Sequence, residues 1–320
     1  MDAVTSGLKV RALLGRRALD NAINMLGQGV VILDENCIII SVNDTFTSIT
    51  GYVLNDFEGK GYGELFNGPK TNKNTIAKID LAYMDLSHFS GEILHYRKGG
   101  AAFWNELSIS PIFNKQGDIC NFIMTIRDIS DRIKIDDKTK KLAFFDQLTN
   151  LPNRNLCLDR LNQALVQSKR SALYGALLFI DIDNLKFIND QYGHEAGDLL
   201  LTEFAKRISN SLRAKDTSSR FGGDEFVVIL NEFTNNYSQT ASQVSSIANK
   251  ILSSLSNKYA FTVCHATLGD TSIQFESCAS IGATLFLGNQ IKSSNIIKRA
   301  DMAMYEAKKM GGNQVRFYAP

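Results

Sequence analysis

The chain has 320 residues and a net charge of +2, with 44% hydrophobic and 21% charged residues. These proportions are typical of a folded chain with room for two domains, and they exclude a disordered or fibrous protein. So small a net charge favours neither nucleic acid nor an acidic membrane as a partner, and no apolar run reaches the ~18 residues of a membrane helix. Five scattered cysteines without close pairs argue against a disulfide framework or a zinc site and favour a cytoplasmic location.

The first 19 residues predict an amphipathic lead helix rather than a secretory signal, because arginines interrupt their short apolar pieces. From residue 20 to about 130, strand-like runs lie at both ends, with short helical pieces and turn glycines between them. This order predicts an antiparallel sheet with helices packed on one face. The strand-like runs are Gly29–Leu33, Cys37–Val42, Glu92–Arg97, Phe103–Ser110 and Asn121–Ile126.

Residues 20–130 resemble a PAS domain, most closely the flavin-binding LOV branch. The resemblance rests on VNDTFTSITGY (42–52), NGPKTNKNTI (67–76), HYRKGGAAFWNELSISPIF (95–113) and NFIMTIRDIS (121–130). It implies a five-stranded sheet around a small-molecule cavity, with the last strand leading directly into the joint between the two halves.

Details of this half argue against a flavin photoreceptor. Where the branch places its reactive cysteine, the chain reads GKGYGEL (59–65), and no cysteine lies nearby. His95 replaces a flavin-binding asparagine and Ile126 stands where a signalling glutamine is expected, although Asn105 is kept. We therefore expect no photoadduct, disfavour flavin and leave the PAS ligand unassigned. An empty or apolar-filled domain for dimerisation and coupling is preferred, and a haem axial role for His88 or His95 stays open.

The joint between the halves is a charged stretch from Asp128 to Leu142 without glycine or proline, and it predicts a helical linker over residues 131–145. Ile135, Leu142 and Phe145 form a thin apolar stripe at heptad-like spacing, interrupted by Lys138. A solvated single helix and a weakly apolar dimer stalk are both compatible with this pattern.

After the joint, from residue 146 to 320, helical and strand-like segments alternate, which predicts helices covering a central sheet. The segments are the strands Ala176–Ile180, Phe226–Leu230 and Gln314–Tyr318 and the helices Leu199–Arg213 and Ile297–Lys309. Asp181 ends the buried run ALLFI, where an ionised carboxylate is costly unless it is paired. A magnesium ion is the partner expected for Asp181, whereas Asp183 is expected to cap the next helix.

A second acidic pair, Asp224 and Glu225, follows Gly222 and Gly223, and two glycines before an aspartate suit a tight hairpin. Transfer of a phosphoryl group to a hydroxyl requires metal ions, a proton acceptor and positively charged groups that stabilise the developing negative charge. Asp181, the acidic pair and a basic helix near Lys308 supply these types of residue.

The C-terminal half resembles the GGDEF family of diguanylate cyclases from about 142 to 318. Five ordered blocks carry the match: FDQLTNLPNR (145–154), FIDIDNLKFINDQYGHEAGDLLL (179–201), RAKDTSSRFGGDEFVVIL (213–230), SIGAT (280–284) and ADMAMYEAKKMGGN (300–313). The resemblance implies a palm-like α/β domain that binds one GTP and makes cyclic di-GMP at the interface of a homodimer, with Mg²⁺ or Mn²⁺.

The family's residue roles transfer to matching positions. By resemblance, Asp181, Asp224 and the backbone carbonyl of Ile182 are metal ligands, and Glu225 helps to deprotonate the attacking hydroxyl or holds a second metal ion. Asn189 and Asp198 are expected to read guanine, which offers a carboxylate two hydrogen bonds that adenine lacks. Lys186 and Lys308 are expected to contact phosphates, with the backbone at Gly222 and Gly223 close to the ligand.

The last block departs from the family pattern, because Gly312 stands where an arginine is usual. We expect weaker GTP binding, or compensation by Lys309, rather than loss of catalysis. Arg213 and Asp216 lie at the offset of the family's product-inhibition motif, RxxD, so cyclic di-GMP is expected as product and inhibitor.

Three functions can be weighed against the residues of this sequence. A PAS-regulated diguanylate cyclase is preferred because the acidic residues are intact. The alternative is a catalytically silent receptor for GTP or cyclic di-GMP, for example the regulatory part of a larger protein with a phosphodiesterase domain. Synthesis of an adenine-containing dinucleotide is disfavoured by Asp198.

Overall fold

The computed structural model describes residues 27–57, 62–265, 269–289 and 291–319, and of residues 263–265 and 269–271 it describes the backbone alone. The chain separates into two compact units, Met1–Lys138 and Thr139–Pro320. The lead helix expected over residues 1–19 lies outside the described residues. Within the described ranges, no helix is both long and apolar enough to cross a membrane.

The first unit is built on a five-stranded antiparallel sheet, which confirms the predicted PAS-like architecture. Its strands are β1 (Gly29–Leu33), β2 (Ile39–Val42), β3 (Phe89–Tyr96), β4 (Ala102–Phe113) and β5 (Ile119–Asp128). They lie in the order β2–β1–β5–β4–β3. Along β4, Phe103, Asn105, Leu107 and Ile109 are buried while the residues between them are not. This alternation places one face of the sheet in the core.

Helices between β2 and β3 cover the buried face. They are α1 (Asp44–Thr50), a 3₁₀ turn (Leu54–Phe57), α2 (Tyr62–Phe66) and α3 (Lys73–Met84). Asn43 and Asn72 begin α1 and α3, because their side chains accept hydrogen bonds from backbone N–H groups of the first turn. Phe46, Phe57 and Phe66 form the aromatic centre of the core, with ring centroids 5.8 to 5.9 Å apart.

One helix, α4 (Ser130–Phe144), leads from the first unit into the second and contains no buried residue. Ile135 and Leu142 are 63% and 52% exposed, so two members of the predicted apolar stripe face solvent. Phe145 lies beyond the helix and forms a β-bridge with Pro152. Its backbone N–H still donates to the carbonyl oxygen of Lys141 at 2.8 Å, so Phe145 closes the last turn of the helix.

The second unit contains a mixed five-stranded sheet. The strands of this unit are β6 (Gly175–Asp183), β7 (Thr217–Gly222), β8 (Glu225–Leu230), β9 (Tyr259–His265), β10 (Gly269–Phe275), β11 (Cys278–Phe286) and β12 (Val315–Phe317). The sheet has the order β12–β11–β6–β8–β7. The β11–β12 pair is parallel and the other three pairs are antiparallel. Strand β6 is central and buried through Ile182, which explains why its sequence is continuously apolar up to Ile180.

Helices cover both faces of this sheet. They are α5 (Arg154–Ser171), α6 (Leu185–Tyr192), α7 (His194–Asn210), α8 (Tyr237–Leu255) and α9 (Ser293–Lys309). Leu177 and Phe179 of β6 pack with α5 and α9, whereas Leu178 and Ile180 pack with α7 and α8. A separate hairpin of β9 and β10 adds Tyr259 to the second of these clusters. The sequence did not predict this hairpin.

Candidate active site

The two acidic segments of the second unit meet where β6 pairs with β8. The antiparallel register places Asp181 opposite Glu225. The backbone N–H of Ile182 donates to the carbonyl oxygen of Asp224 at 3.3 Å. Acidic residues that are more than 40 positions apart in the sequence are therefore neighbours at one end of the sheet.

Asp181 is the most buried of these carboxylates, with a side chain that is 8% exposed. The ammonium nitrogen of Lys308 lies 2.5 Å from its Oδ1. Lys308 thus supplies the counter-charge of this buried carboxylate. Burial, together with the charges of Asp224 and Glu225, raises the pKa of Asp181 to about 6 against the opposing effect of Lys308.

The donor set at this point fits a hard divalent cation. In the part of the chain that the structure describes, no three His, Cys, Asp or Glu side chains are grouped as metal ligands. Mg²⁺, however, usually takes one or two carboxylates and completes its shell with phosphate oxygens and water. Asp181 and Asp224, on the adjoining strand turn, offer the carboxylates, and the backbone carbonyl of Ile182 is the third ligand that the family resemblance predicts.

Glu225 is surrounded by charges that the sequence did not single out. Burial, then the carboxylates of Asp301 and Asp224, raise its pKa, while Arg154 and Lys308 oppose the increase. Arg154 begins α5, and its guanidinium carbon lies 4.8 Å from the centre of the Phe221 ring. Arg154 and Asp301 belong to two of the family blocks, but their spacing does not reveal that both face the hairpin.

The turn between β7 and β8 is the predicted tight hairpin, in which Gly222 pairs with Glu225. Arg220 connects this hairpin to the start of the domain. Its Nε and Nη2 donate to the carbonyl oxygen of Gly223 at 3.0 and 2.7 Å. Its Nη1 donates to both carboxylate oxygens of Asp146 at 3.1 and 3.2 Å. One guanidinium thus holds the acidic turn against the segment that follows α4.

A second group of predicted site residues lies on α6 and α7, directly after the end of β6. Asn189 of α6 has a side-chain oxygen that is buried and has no hydrogen-bond partner. Lys186 on α6 and Asp198 on α7 are exposed. The predicted guanine readers therefore consist of a half-buried asparagine with a buried side-chain oxygen and one solvent-facing carboxylate.

Asp183 does not have its predicted capping role. The residue that caps α6 is Asn184, at φ +62° and without a side-chain capping hydrogen bond. Asp183 instead accepts hydrogen bonds from the hydroxyl of Ser280 at 2.8 Å and the backbone N–H of Asn313 at 3.0 Å. A Cβ at Gly312 would lie 2.8 Å from Asp183 Oδ2. The carboxylate of Asp183 is therefore held by β11 and by the loop after α9.

Arg213 and Asp216 occupy the turn before β7. The carboxylate of Asp216 accepts from the backbone N–H of Arg213 at 3.2 Å and of Asn231 at 3.3 Å, so it stabilises the turn itself. The side chain of Arg213 is exposed. A groove of about 610 Å³ lies between this region and α5, lined by Arg160 and Lys215 among other residues.

The first unit contains a cavity of about 450 Å³ lined by residues of α2, α3 and β3, including Tyr62, Tyr83 and His95. The side chain of Asn105 accepts from the backbone N–H of Arg127 at 3.2 Å, which directs its amide nitrogen to donate to His95 Nδ1 at 3.1 Å. Burial lowers the pKa of His95 to about 4, so the ring is neutral at physiological pH. The hydroxyl of Tyr83 is buried without a hydrogen-bond partner.

Of the two histidines considered for haem, His95 lines this cavity. His88 is exposed, and its Nδ1 lies 2.9 Å from the hydroxyl of Ser110. The cavity wall is partly polar, and we assign no cofactor to it.

The fold and these sites define a modular signalling protein, in which a sensor-type domain precedes a domain with clustered carboxylates and a lysine. The family model described as "Diguanylate cyclase, GGDEF domain" matches residues 143–314, more than half of the chain, and a PAS domain model matches residues 27–131. The chain belongs to the GGDEF family and carries a PAS domain ahead of its GGDEF domain.

Several relatives share this architecture in part. The chain is 38% identical over 178 residues to the bifunctional diguanylate cyclase/cyclic di-GMP phosphodiesterase MucR of Pseudomonas aeruginosa, a match that covers 56% of the chain and 24% of MucR. It is 27% identical over 313 residues to the probable diguanylate cyclase DgcE of Escherichia coli, which covers 95% of the chain and 26% of DgcE. The chain thus spans about a quarter of the length of these relatives.

Among solved structures, the coiled coil and GGDEF domain of DgcB from Caulobacter crescentus, in complex with c-di-GMP, is 25% identical with a TM-score of 0.49. That match covers 58% of this chain and 92% of the DgcB chain.

Proposed function

We propose that the chain is a diguanylate cyclase that condenses two GTP molecules into cyclic di-GMP and releases pyrophosphate. The observation that carries this proposal is the meeting of Asp181 with the Asp224–Glu225 turn, with the ammonium of Lys308 directed at it. A cluster of carboxylates beside an ammonium group is what a metal-assisted transfer to a hydroxyl requires. The cyclase names of the relatives support the same reaction.

The reaction consists of two equivalent steps. In each, the 3′-oxygen of one GTP bonds to the α-phosphorus of the other, and the bond from that phosphorus to the oxygen bridging to the β-phosphate breaks. Glu225 accepts the hydroxyl proton, a role that its raised pKa favours. Asp181, Asp224 and the carbonyl of Ile182 would hold Mg²⁺ or Mn²⁺, which when bound supplies positive charge to the phosphate oxygens. Lys308, no longer needed as the counter-charge of Asp181, contacts a phosphate.

The α6–α7 region is proposed to bind the base. The buried side-chain oxygen of Asn189 lacks a donor, and guanine offers N–H groups that would satisfy it. Asp198 accepts from the same edge of guanine, and Lys186 lies on α6 where it contacts the triphosphate. Gly222 and Gly223 let the hairpin backbone approach the nucleotide closely.

The decisive experiment incubates the protein with GTP and Mg²⁺ or Mn²⁺ and identifies the products by chromatography. Cyclic di-GMP and pyrophosphate are expected from the unchanged protein, and none from the Asp224→Ala/Glu225→Ala variant. Asp159→Ala, a change at an exposed residue of α5, is the matched control and should retain activity. A product that persists in the double variant would show that these carboxylates do not carry the chemistry.

A catalytically silent receptor for GTP or cyclic di-GMP is the second candidate. It is favoured by Gly312, because a glycine there leaves the triphosphate end without the guanidinium that is usual at this position. Calorimetry separates the candidates, because a receptor would bind GTP or cyclic di-GMP and yield no product at any metal concentration.

Product inhibition is proposed to act through Arg213. Since the carboxylate of Asp216 already accepts two backbone N–H groups, the exposed guanidinium of Arg213 is the group free to contact a phosphate or a guanine edge. Arg213→Ala should relieve inhibition by added cyclic di-GMP without reducing the initial rate. Unchanged inhibition would remove Arg213 from the regulatory site.

The reaction also requires two GTP-loaded domains, so the active species is proposed to be a homodimer. The PAS domain would regulate how two such domains meet, through the helix that joins it to the cyclase.

A further inference from the structure

The buried amide of Asn189 lies against a position that has no side chain. Asn189 is in the last turn of α6, where its backbone carbonyl oxygen accepts from the N–H of Gly193 at 2.9 Å. Helix α7 begins directly after Gly193, and Gly197 lies in its first turns. A Cβ built on Gly197 would stand 1.9 Å from Asn189 Oδ1 and 3.0 Å from its Cγ. The amide oxygen therefore occupies the place that any other residue's Cβ would fill.

Backbone conformation does not explain why a glycine stands at position 197. The glycines with φ between +20° and +160° include Gly193, at +85°, but Gly197 has ordinary helical geometry. Within a helix, glycine is a poorer choice than every residue except proline. A buried helical glycine without a conformational reason points to a requirement for space.

The space is used by an oxygen that lacks a hydrogen-bond partner. Asn189 Oδ1 is buried and has no hydrogen-bond partner among the described residues. Leaving such an acceptor unpaired is costly, and a bound ligand with an N–H group removes that cost. An acceptor held in this way discriminates strongly against a ligand that lacks the donor.

We propose that Gly197 is a specificity-determining residue, whose missing side chain holds the Asn189 oxygen where it accepts from the 2-amino group of a guanine nucleotide. This inference rests on the proposed binding of GTP and adds to it a positioning residue that makes no contact with the base itself. Gly197→Ala is expected to rotate the amide away, because a methyl group cannot share its place.

Binding of unreactive nucleotides provides the test. The 3′-deoxy analogues of GTP and of inosine triphosphate lack the attacking hydroxyl, and the inosine analogue also lacks the 2-amino group. With the full chain and Mg²⁺, calorimetry should show that the guanosine analogue binds about tenfold or more tightly than the inosine analogue. Gly197→Ala should weaken binding of the guanosine analogue by a similar factor and leave the inosine analogue almost unchanged.

A double-mutant cycle separates positioning from general packing. In the Asn189→Ala background the space is vacated, so adding Gly197→Ala should change neither affinity further. The inference is wrong if Gly197→Ala weakens the binding of both nucleotides equally. It is also wrong if the substitution has the same effect on binding with and without Asn189→Ala. If Gly197→Ala does not fold, the affinities of Asn189→Ala for the two analogues provide the test. A variant that still binds the guanosine analogue more tightly than the inosine analogue, by the same factor as the unchanged protein, would overturn the proposal.

Failure of the proposed function would look different. A wild-type chain that binds neither analogue would contradict GTP binding itself. Tight binding of the guanosine analogue that is insensitive to Gly197→Ala would contradict the role of Gly197 alone.

Discussion

Gly312 combines a local backbone constraint with a change in the proposed ligand site. It has φ +71°, and a Cβ there would press on the Asp183 carboxylate. Lys309, the expected substitute for the missing arginine, has its ammonium nitrogen 4.4 Å from the centre of the Tyr305 ring. A cation that is engaged with an aromatic face is poorly placed to replace a guanidinium at the triphosphate.

We therefore predict that Gly312→Arg lowers the KM for GTP relative to Gly312→Ala. Both variants carry the same backbone strain, on the order of 1–2 kcal/mol for an L-residue in the left-handed region, so their comparison isolates the guanidinium. Steady-state kinetics at fixed metal concentration measure the effect, with thermal unfolding to confirm equal stability. Equal KM values in the two variants would show that an arginine at position 312 does not contribute to GTP binding.

At the scale of residues, the sequence predicts what depends on local chemistry. Asp181 and the Asp224–Glu225 turn could be identified because a carboxylate beside a buried strand needs a partner. The contact between Asn189 and Gly197 could not, since it depends on how two helices pack around a turn. Asp183 was assigned a capping role because its position before a helix is local information, whereas its actual partners come from the distant β11 and the loop after α9.

Among the elements, the β7–β8 hairpin depends on Arg220 for its position. The guanidinium spans Gly223 and Asp146 with four donor contacts and is 14% exposed at the side chain. Arg220→Lys should lower kcat on the order of tenfold to a hundredfold, because a single ammonium cannot hold both acceptors and small displacements of reacting groups are costly.

The control for this prediction is Arg299→Lys, which changes another arginine of the same unit, one whose guanidinium carbon lies 5.3 Å from the centre of the Tyr318 ring. It should leave kcat close to that of the unchanged protein. A similar loss in both variants would mean that arginine replacement acts through general stability rather than through the hairpin.

The sheet of the first unit should be sensitive to acid through His95. Its pKa is lowered to about 4 from 6.5 by burial, so the unfolded chain binds a proton that the folded chain excludes. The contribution of neutral His95 to the unfolding free energy of the first unit is therefore present above pH 6.5 and is lost as the pH falls toward 4. The expected loss in unfolding free energy between pH 7.5 and pH 5 is about 2 kcal/mol.

Trp104, the single tryptophan, lies in β4 of the same unit, so its fluorescence reports on this domain during urea unfolding. His95→Asn removes the titrating group and should remove most of the difference between the two pH values. If the difference persists, groups other than His95 cause the acid sensitivity.

For the whole molecule, the sequence predicted two units of the right architecture because each has its own hydrophobic periodicity. It did not predict the β9–β10 hairpin, which forms a two-stranded sheet of its own outside the five-stranded sheet and so departs from the alternation of helices and strands. The mixed direction of the second sheet likewise depends on chain connections that alternating helices and strands leave open.

The dimer stalk is the remaining choice that the helix pattern left open, and the exposed stripe on α4 makes it testable. Ile135 and Leu142 are seven positions apart and remain open to solvent within one chain, so burial between two chains would stabilise an association of the helices.

We predict that Ile135→Lys/Leu142→Lys lowers the specific activity at low protein concentration. The rise of specific activity with protein concentration should shift to a concentration at least about tenfold higher. Activity at saturating protein concentration should recover, because the catalytic residues are unchanged. Asp137→Lys, which changes the net charge by the same amount on the opposite side of the helix, is the control. An unchanged concentration dependence in the double variant would favour a solvated single helix and would place the dimer contact elsewhere.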